Sequence, residues 1–357
     1  MKSKTFFKSL SWIMIIFLFS GSLTAQIRGN GNIVRQTRDV GPFNGIIVRS
    51  GIDLFISQTG NPSVEIKSDE NLQQYIITEV KDGILYVYVE KNRNIWQSHA
   101  MDAYVSIGDI RSLKVSGGGD VASEGTIKSE DLKIVISGGG DLEMNLDATA
   151  LNLSMSGGGD AEVQGRINDF KAALSGGGDL ELDALLETIS LTVSGGGDAE
   201  IRGDGNVSTA DITISGGGDL EMDIPCNNLT IQVSGGGDAE IHAGDQVQKA
   251  KISINSGGDL DLVLKTRELS LFAGSGGDAW LKGSCDSFSG EIKSGGDLDA
   301  SECEMQSAKI DLNGGSGAKL HVTGILDLNA SGGGQVYLEG NPHINANLTG
   351  GSKLHRK

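Results

Sequence analysis

The chain has 357 residues, 54 of them Gly, and a formal net charge of −18. Glycine is thus present at about twice its ordinary share of roughly 7%. The acidic balance excludes a phosphate-reading protein, which needs a basic footprint, and removes any electrostatic pull toward anionic membranes. Three cysteines, Cys226, Cys285 and Cys303, are too few for a disulfide scaffold. At this length a core forms without staples, and the three read as small buried side chains.

Residues 1–25 read as a secretory signal. Lys2, Lys4 and Lys8 make a basic start, an apolar run spans Leu10 to Phe19, and Thr24-Ala25 offers a small-residue cleavage site. The run is short for a membrane span. Cleavage after Ala25 removes three Lys and no acid, leaving a formal charge of −21. No Cys follows the site, so acylation is not expected, and no second long apolar segment follows. These features predict export to the periplasm, cell surface or medium, with no membrane span after cleavage.

Residues 26–111 are predicted to be a β-rich N-terminal capping part. Ile46–Val48, Leu54–Ile56 and Val64–Ile66 are short strand candidates, and Ile84–Val89 follows the turn signal Asp82-Gly83. Ser50-Gly51-Ile52-Asp53 reads as a worn copy of a motif that dominates the rest of the chain.

Residues 112–300 carry that motif, SGGGD. It stands at Ser116–Asp120, Ser137–Asp141, Ser156–Asp160, Ser175–Asp179, Ser194–Asp198, Ser215–Asp219 and Ser234–Asp238. Variants occupy Asn255–Asp259, Gly274–Asp278 and Lys293–Asp297. The ten Asp are spaced by 19 or 21 residues. Residues 301–357 hold degenerate copies at Gly315–Lys319, Ser331–Gln335 and Thr349–Lys353. Self-similarity at a fixed period marks a solenoid. An alternating strand enters each corner (Leu132, Ile134, Ile136) and another leaves it (Leu142, Met144, Leu146), so one face is buried and one wet.

The residue after the corner Asp alternates between large and small: Leu142, Ala161, Leu180, Ala199, Leu220, Ala239. The Ala-type arms stop early, at Gly165, Gly203 and Gly283. Repeats therefore pair into units of about 40 residues. Either each coil is one repeat and large and small side chains interleave, or each coil holds two unlike repeats and like stacks on like. Uniform rows favour the second. That geometry puts Cys285 and Cys303 on different sides of the coil, with no disulfide between them.

The corner Asp and the acid two positions on share the outer face. The second column comprises Glu143, Glu162, Glu181, Glu200, Glu221, Glu240, Asp261 and Asp299. Coils stack roughly 4.8 Å apart, where like charges repel. The favoured relief is that each Asp accepts N–H groups of its own Gly turn. The alternative is a row of Ca²⁺ ions on Asp141, Asp160, Asp179, Asp198, Asp219 and Asp238. A Gly/Asp calcium-binding solenoid has a nine-residue period, unlike this one. His99, His242, His321, His343 and His355 form no metal-spaced pair. No irregular loop breaks the rows from Asp120 to Asp297, so no catalytic residue and no cofactor is expected. Trp280, in place of an outward acid, is the nearest anomaly.

Phe43–Gln58 (FNGIIVRSGIDLFISQ), Asp82–Glu90 (DGILYVYVE), the repeated corners and the close Ser331–Lys357 (SGGGQVYLEGNPHINANLTGGSKLHRK) together resemble the auto-transporter adhesin head (GIN) domain family of exported bacterial proteins. The resemblance covers nearly all of the chain after residue 25. The long regular middle, and Gln335 at a usual Asp, depart from the family pattern. The resemblance implies an all-β, right-handed parallel β-helix in a cell-envelope setting and carries over no functional residue. The expected function is an exported structural or adhesive module without catalysis, meeting a glycan or protein ligand. The alternative is a carbohydrate-binding or polysaccharide-cleaving protein on the same scaffold.

Overall fold

The computed structural model describes residues 26–357; the signal-like segment lies outside the described residues. These residues form a β-solenoid of about 13 stacked parallel turns. Most turns are one long strand that bends between corners, as in Leu142–Gly157 and Ala161–Leu174, while others divide in two, as in Ala199–Arg202 and Val207–Ile214. Inward and outward residues alternate along each turn, so every second side chain enters one continuous core.

The register settles the coil period. Leu142 pairs with Ala161, Ala161 with Leu180, Leu180 with Ala199, and Ala199 with Leu220. Each coil is therefore one repeat, and the expected two-repeat coil is corrected. Large and small residues interleave up this row, while the next inward row stays large: Met144, Val163, Leu182, Ile201. In two coils the volume lost at Ala is recovered by an aromatic ring. Ala161 and Ala172 share a coil with Phe170, and Ala279 shares one with Phe288, whose ring lies over Gly290. The coils of Ala199 and Ala239 instead add a second inward Ala, Ala210 and Ala250, and no aromatic, so the layers differ in volume. Two of the arms expected to end at glycine also run on, since strands pass through Gly165 and Gly283.

The first coil is built from Gly45–Arg49 and Asp53–Ser57, joined at the worn corner. These strands pair in parallel with Ser112–Gly117 and Val121–Gly138 on one side, and with Ile84–Val89 and Met101–Ser106 on the other. Beyond them the sheet turns antiparallel. Ser63–Asp69 pairs with Met101–Ser106, Ile33–Arg38 pairs with Ser63–Asp69, and Ile76–Lys81 pairs with Ile84–Val89. Asp69 is fully buried there and ties the segment together, accepting Gly31 N–H at 2.6 Å and His99 N–H at 2.8 Å. Burial opposes its charge, but the bonds from His99 and Gly31 prevail and hold its carboxyl below the ordinary value.

Candidate functional site

The strand leaving each Gly corner carries the two acidic columns, and the interleaved Leu/Ala row sinks between them. Together they line a trough of about 1100 Å³ running from the coil of Asp120 to that of Trp280. Its lining holds nine Asp, six Glu, Trp280 and small or aliphatic residues, with no Lys or Arg.

The corner aspartates are tied to one another. Oδ1 of Asp120 accepts the backbone N–H of Asp141 at 3.0 Å, Asp141 that of Asp160 at 2.9 Å, and Asp160 that of Asp179 at 2.9 Å. The ladder continues through Asp198, Asp219, Asp238 and Asp259 at 2.8–3.2 Å. It starts at Asp53, which accepts Asp120 N–H at 3.0 Å, and resumes at Asp278 and Asp297. The expected bonds within each turn are thus replaced by bonds between coils. A charge-assisted bond to an amide one coil away stabilises the very stacking that brings the carboxylates together. The corner serines back this up: Ser175 and Ser194 hydroxyls donate to the carbonyls of Met155 and Leu174 in the preceding coil, at 3.2 and 3.1 Å.

The calcium candidates Asp141, Asp160, Asp179, Asp198, Asp219 and Asp238 are all rungs of this ladder. They stand in single file, each with one oxygen engaged. Among the described residues no group of three or more His, Cys, Asp or Glu is arranged to hold a metal ion.

The second column is relieved by basic neighbours. Arg202 contacts Glu200 and reaches Glu221 at 3.4 Å; Lys282 Nζ lies 3.4 Å from Asp261. At the far end Lys319 pairs with Asp299 at 2.7 Å. Burial opposes the Asp299 charge, but Lys319 and Ser301 more than compensate and pull its carboxyl down. Asp259 is pushed up by burial and by Asp238 and Asp278 on either side. Asp53 is pushed up chiefly by burial.

Register extends this column past the acids in both directions. Glu143 is followed by Ala122, Phe55 and Tyr104 toward the N-terminal end. Asp261 is followed by Trp280, Asp299, Lys319, Tyr337 and His355. Phe55 stacks on Tyr104 with centroids 4.8 Å apart, and the Arg35 guanidinium lies 4.5 Å from the Tyr104 centroid. Tyr337 stacks on His355 at 4.9 Å. Sequence reasoning missed Phe55 and Tyr104 because a long excursion separates their strands and no corner motif marks the second. It also placed the corner at Gly315–Lys319 two residues late. Gly317 occupies the Asp position and Lys319 the Glu position.

The histidines form no common centre: His99 contacts Asp69, and His355 contacts Gln335 at 3.1 Å. The three thiols are buried and free, and burial pushes them up to about 12 for Cys226, about 11 for Cys285 and about 12 for Cys303. Cys303 pairs in register with Gly283 and Cys285 with Met305, an offset of two residues. The two thiols thus share a side of the coil, and the register offset separates them.

The family model described as "Putative auto-transporter adhesin, head GIN domain" matches residues 42–204, 186–250 and 244–342. No curated protein matches. Similar solved structures include a "putative lipid binding protein" from Parabacteroides distasonis, 16% identical over 93% of this chain and 99% of that one, with a TM-score of 0.32. A "putative adhesin" from Parabacteroides merdae is 16% identical, and one from Bacteroides fragilis is 14% identical. Both have the same coverage of each chain and a TM-score of 0.30.

Proposed function

Because the chain belongs to the auto-transporter adhesin head GIN-domain family, we propose that it is an exported, non-enzymatic adhesive module of the bacterial cell envelope whose acidic trough is the docking face. The observation that carries this reading is the trough: fifteen carboxylates repeated coil after coil, with no basic residue in the lining. A rigid row of like charges focuses an attractive field on basic partners. A regular array also lets one extended ligand engage many equivalent contacts at once. A catalytic centre would instead gather unlike groups around one point, and the trough repeats the same pair in each coil. Export is supported by the tripartite pattern of residues 1–25, and no helix among the described residues is long and apolar enough to cross a membrane.

The test compares the wild-type protein with a variant carrying Glu162→Gln, Glu181→Gln, Glu200→Gln and Glu221→Gln, on surfaces coated with a basic polypeptide and on a glycan array. Adhesion to the basic surface should fall steeply with salt and drop in the variant, whose melting temperature should hold. Cleavage of a glycan, or undiminished adhesion by the variant, refutes the reading. Sequencing of the envelope-located protein should start at Gln26.

A further inference from the structure

We propose that Trp280 is a cation-binding platform, taking a guanidinium or ammonium group of a basic polypeptide segment that lies along the trough. The inference rests on the trough being the docking face and adds where on it an aromatic contact is made. Trp280 is 40% exposed and stands in the acidic column between Asp261 and Asp299.

The other rings of this column have their partners within the chain. Phe55 and Tyr104 stack together and receive Arg35, while Tyr337 receives His355. Among the described residues, the guanidinium–ring pairs are Arg35 on Tyr104 and Arg93 on Tyr75, so Trp280 is left with an unmatched face. Indole presents the strongest ring quadrupole toward a cation. The Arg35–Tyr104 pair shows the same column accepting a guanidinium at 4.5 Å.

The charges around Trp280 favour a cation over a neutral ring. Asp259, Asp261, Asp278, Asp297 and Asp299 surround it, against Lys282 and Lys319. A neutral sugar could stack on the indole but would not draw on the surrounding net negative charge.

Isothermal titration with a tetra-arginine peptide tests this, comparing wild type with W280A and W280F, each checked by thermal melting. The wild type should bind. W280A should bind about twofold to thirtyfold more weakly, the span expected for a cation–ring contact, and W280F should fall between. Equal binding by W280A overturns the platform while leaving the trough as the docking face. No binding by the wild type overturns both. A neutral oligosaccharide that binds the wild type and not W280A, where tetra-arginine shows no such difference, overturns the cation in favour of a sugar.

Discussion

The central and the C-terminal corners of the solenoid look alike in sequence and are held in different ways. From Ser116 to Asp238 the glycine amides reach across to the preceding coil: Gly158 N–H donates to Gly138, Gly177 to Gly157 and Gly196 to Gly176, at 2.8–2.9 Å. From Asn255 onward the second and third corner residues both take positive φ, as in Ser275 (57°) and Gly276 (82°). The corner then closes on itself, with Gly277 N–H on the Gly274 carbonyl at 3.3 Å and Gly296 N–H on that of Lys293 at 3.2 Å. Two successive positive φ values with this bond define a type I′ turn. The worn corner at Ser50 (71°) and Gly51 (68°) has the same φ signs. At its glycine amides, a central corner is thus held by its neighbour and a terminal one by itself.

The largest expected effect breaks a central corner. A Cβ on Gly176 would stand 1.8 Å from the Gly157 carbonyl oxygen, a backbone atom of the adjoining coil. Coil spacing is set by the ladder, so nothing nearby yields cheaply. Gly176→Ala should destabilise by about 3 kcal/mol or more, in the range reserved for core disruption, as read by chemical denaturation. A loss under 1 kcal/mol would show that the coils can part at the corner.

Next comes the aspartate ladder. Asp198→Ala leaves the Asp219 N–H without its acceptor and should cost about 1–3 kcal/mol. Asp198→Asn keeps an acceptor oxygen and removes a like charge from the column, so it should be near neutral. If both variants lose the same stability, the ladder is not what holds the corner.

These corners also mark how far the sequence could be read. Period, alternation and the outward acids follow from SGGGD spacing, because a 19- to 21-residue repeat with period-two strands has few other folds. The coil count per repeat did not follow, since uniform rows looked more economical than the interleaving of Leu and Ala that the register shows. The ladder did not follow either, because a motif shows neighbours along the chain and hides those one coil away. Ser331–Gln335 makes the point most clearly. Its first four residues are those of a central corner, yet Gly332 (72°) and Gly333 (90°) take the terminal form. The adjoining corner at Gly314 (73°) and Gly315 (80°) already has that form. Local sequence alone does not choose the corner shape.

The terminal corners should be limited by φ instead of space. A Cβ on Gly276 meets nothing within 4 Å, but its φ of 82° is costly for any residue with a side chain. Gly276→Ala should lose about 1–2 kcal/mol, and Gly276→Asn should lose less, since Asn visits this region more readily. An equal loss for both would point to a hidden steric contact.

At the junction of the two corner types stands Asp259, raised by burial, then by Asp238 and Asp278. An acid with a raised folded value destabilises the fold once ionised. That cost is absent below its unfolded value of about 3.9 and grows as pH rises through the folded one. Asp259→Asn should therefore be the more stable protein at pH 7, by under about 1 kcal/mol given its partial exposure. The gap should close as the pH falls below about 4. A gap that widens toward acid would reverse the assignment.

The smallest effect is expected at the middle glycine of a central corner, one residue from the most sensitive site. A Cβ on Gly177 meets nothing within 4 Å, and its φ lies outside the positive range that side chains avoid. Its amide bond to the Gly157 carbonyl is made by the backbone and survives the substitution. Alanine also narrows the conformations open to the unfolded chain, which stabilises by about 0.4–1 kcal/mol where the folded backbone is compatible. Gly177→Ala should accordingly be neutral or stabilising by up to that amount, while Gly176→Ala fails. Parallel melts of the two variants read the difference directly. If Gly177→Ala proves as damaging as Gly176→Ala, the corner needs glycine for flexibility throughout, and the distinction between a corner held by its neighbour and one held by itself does not stand.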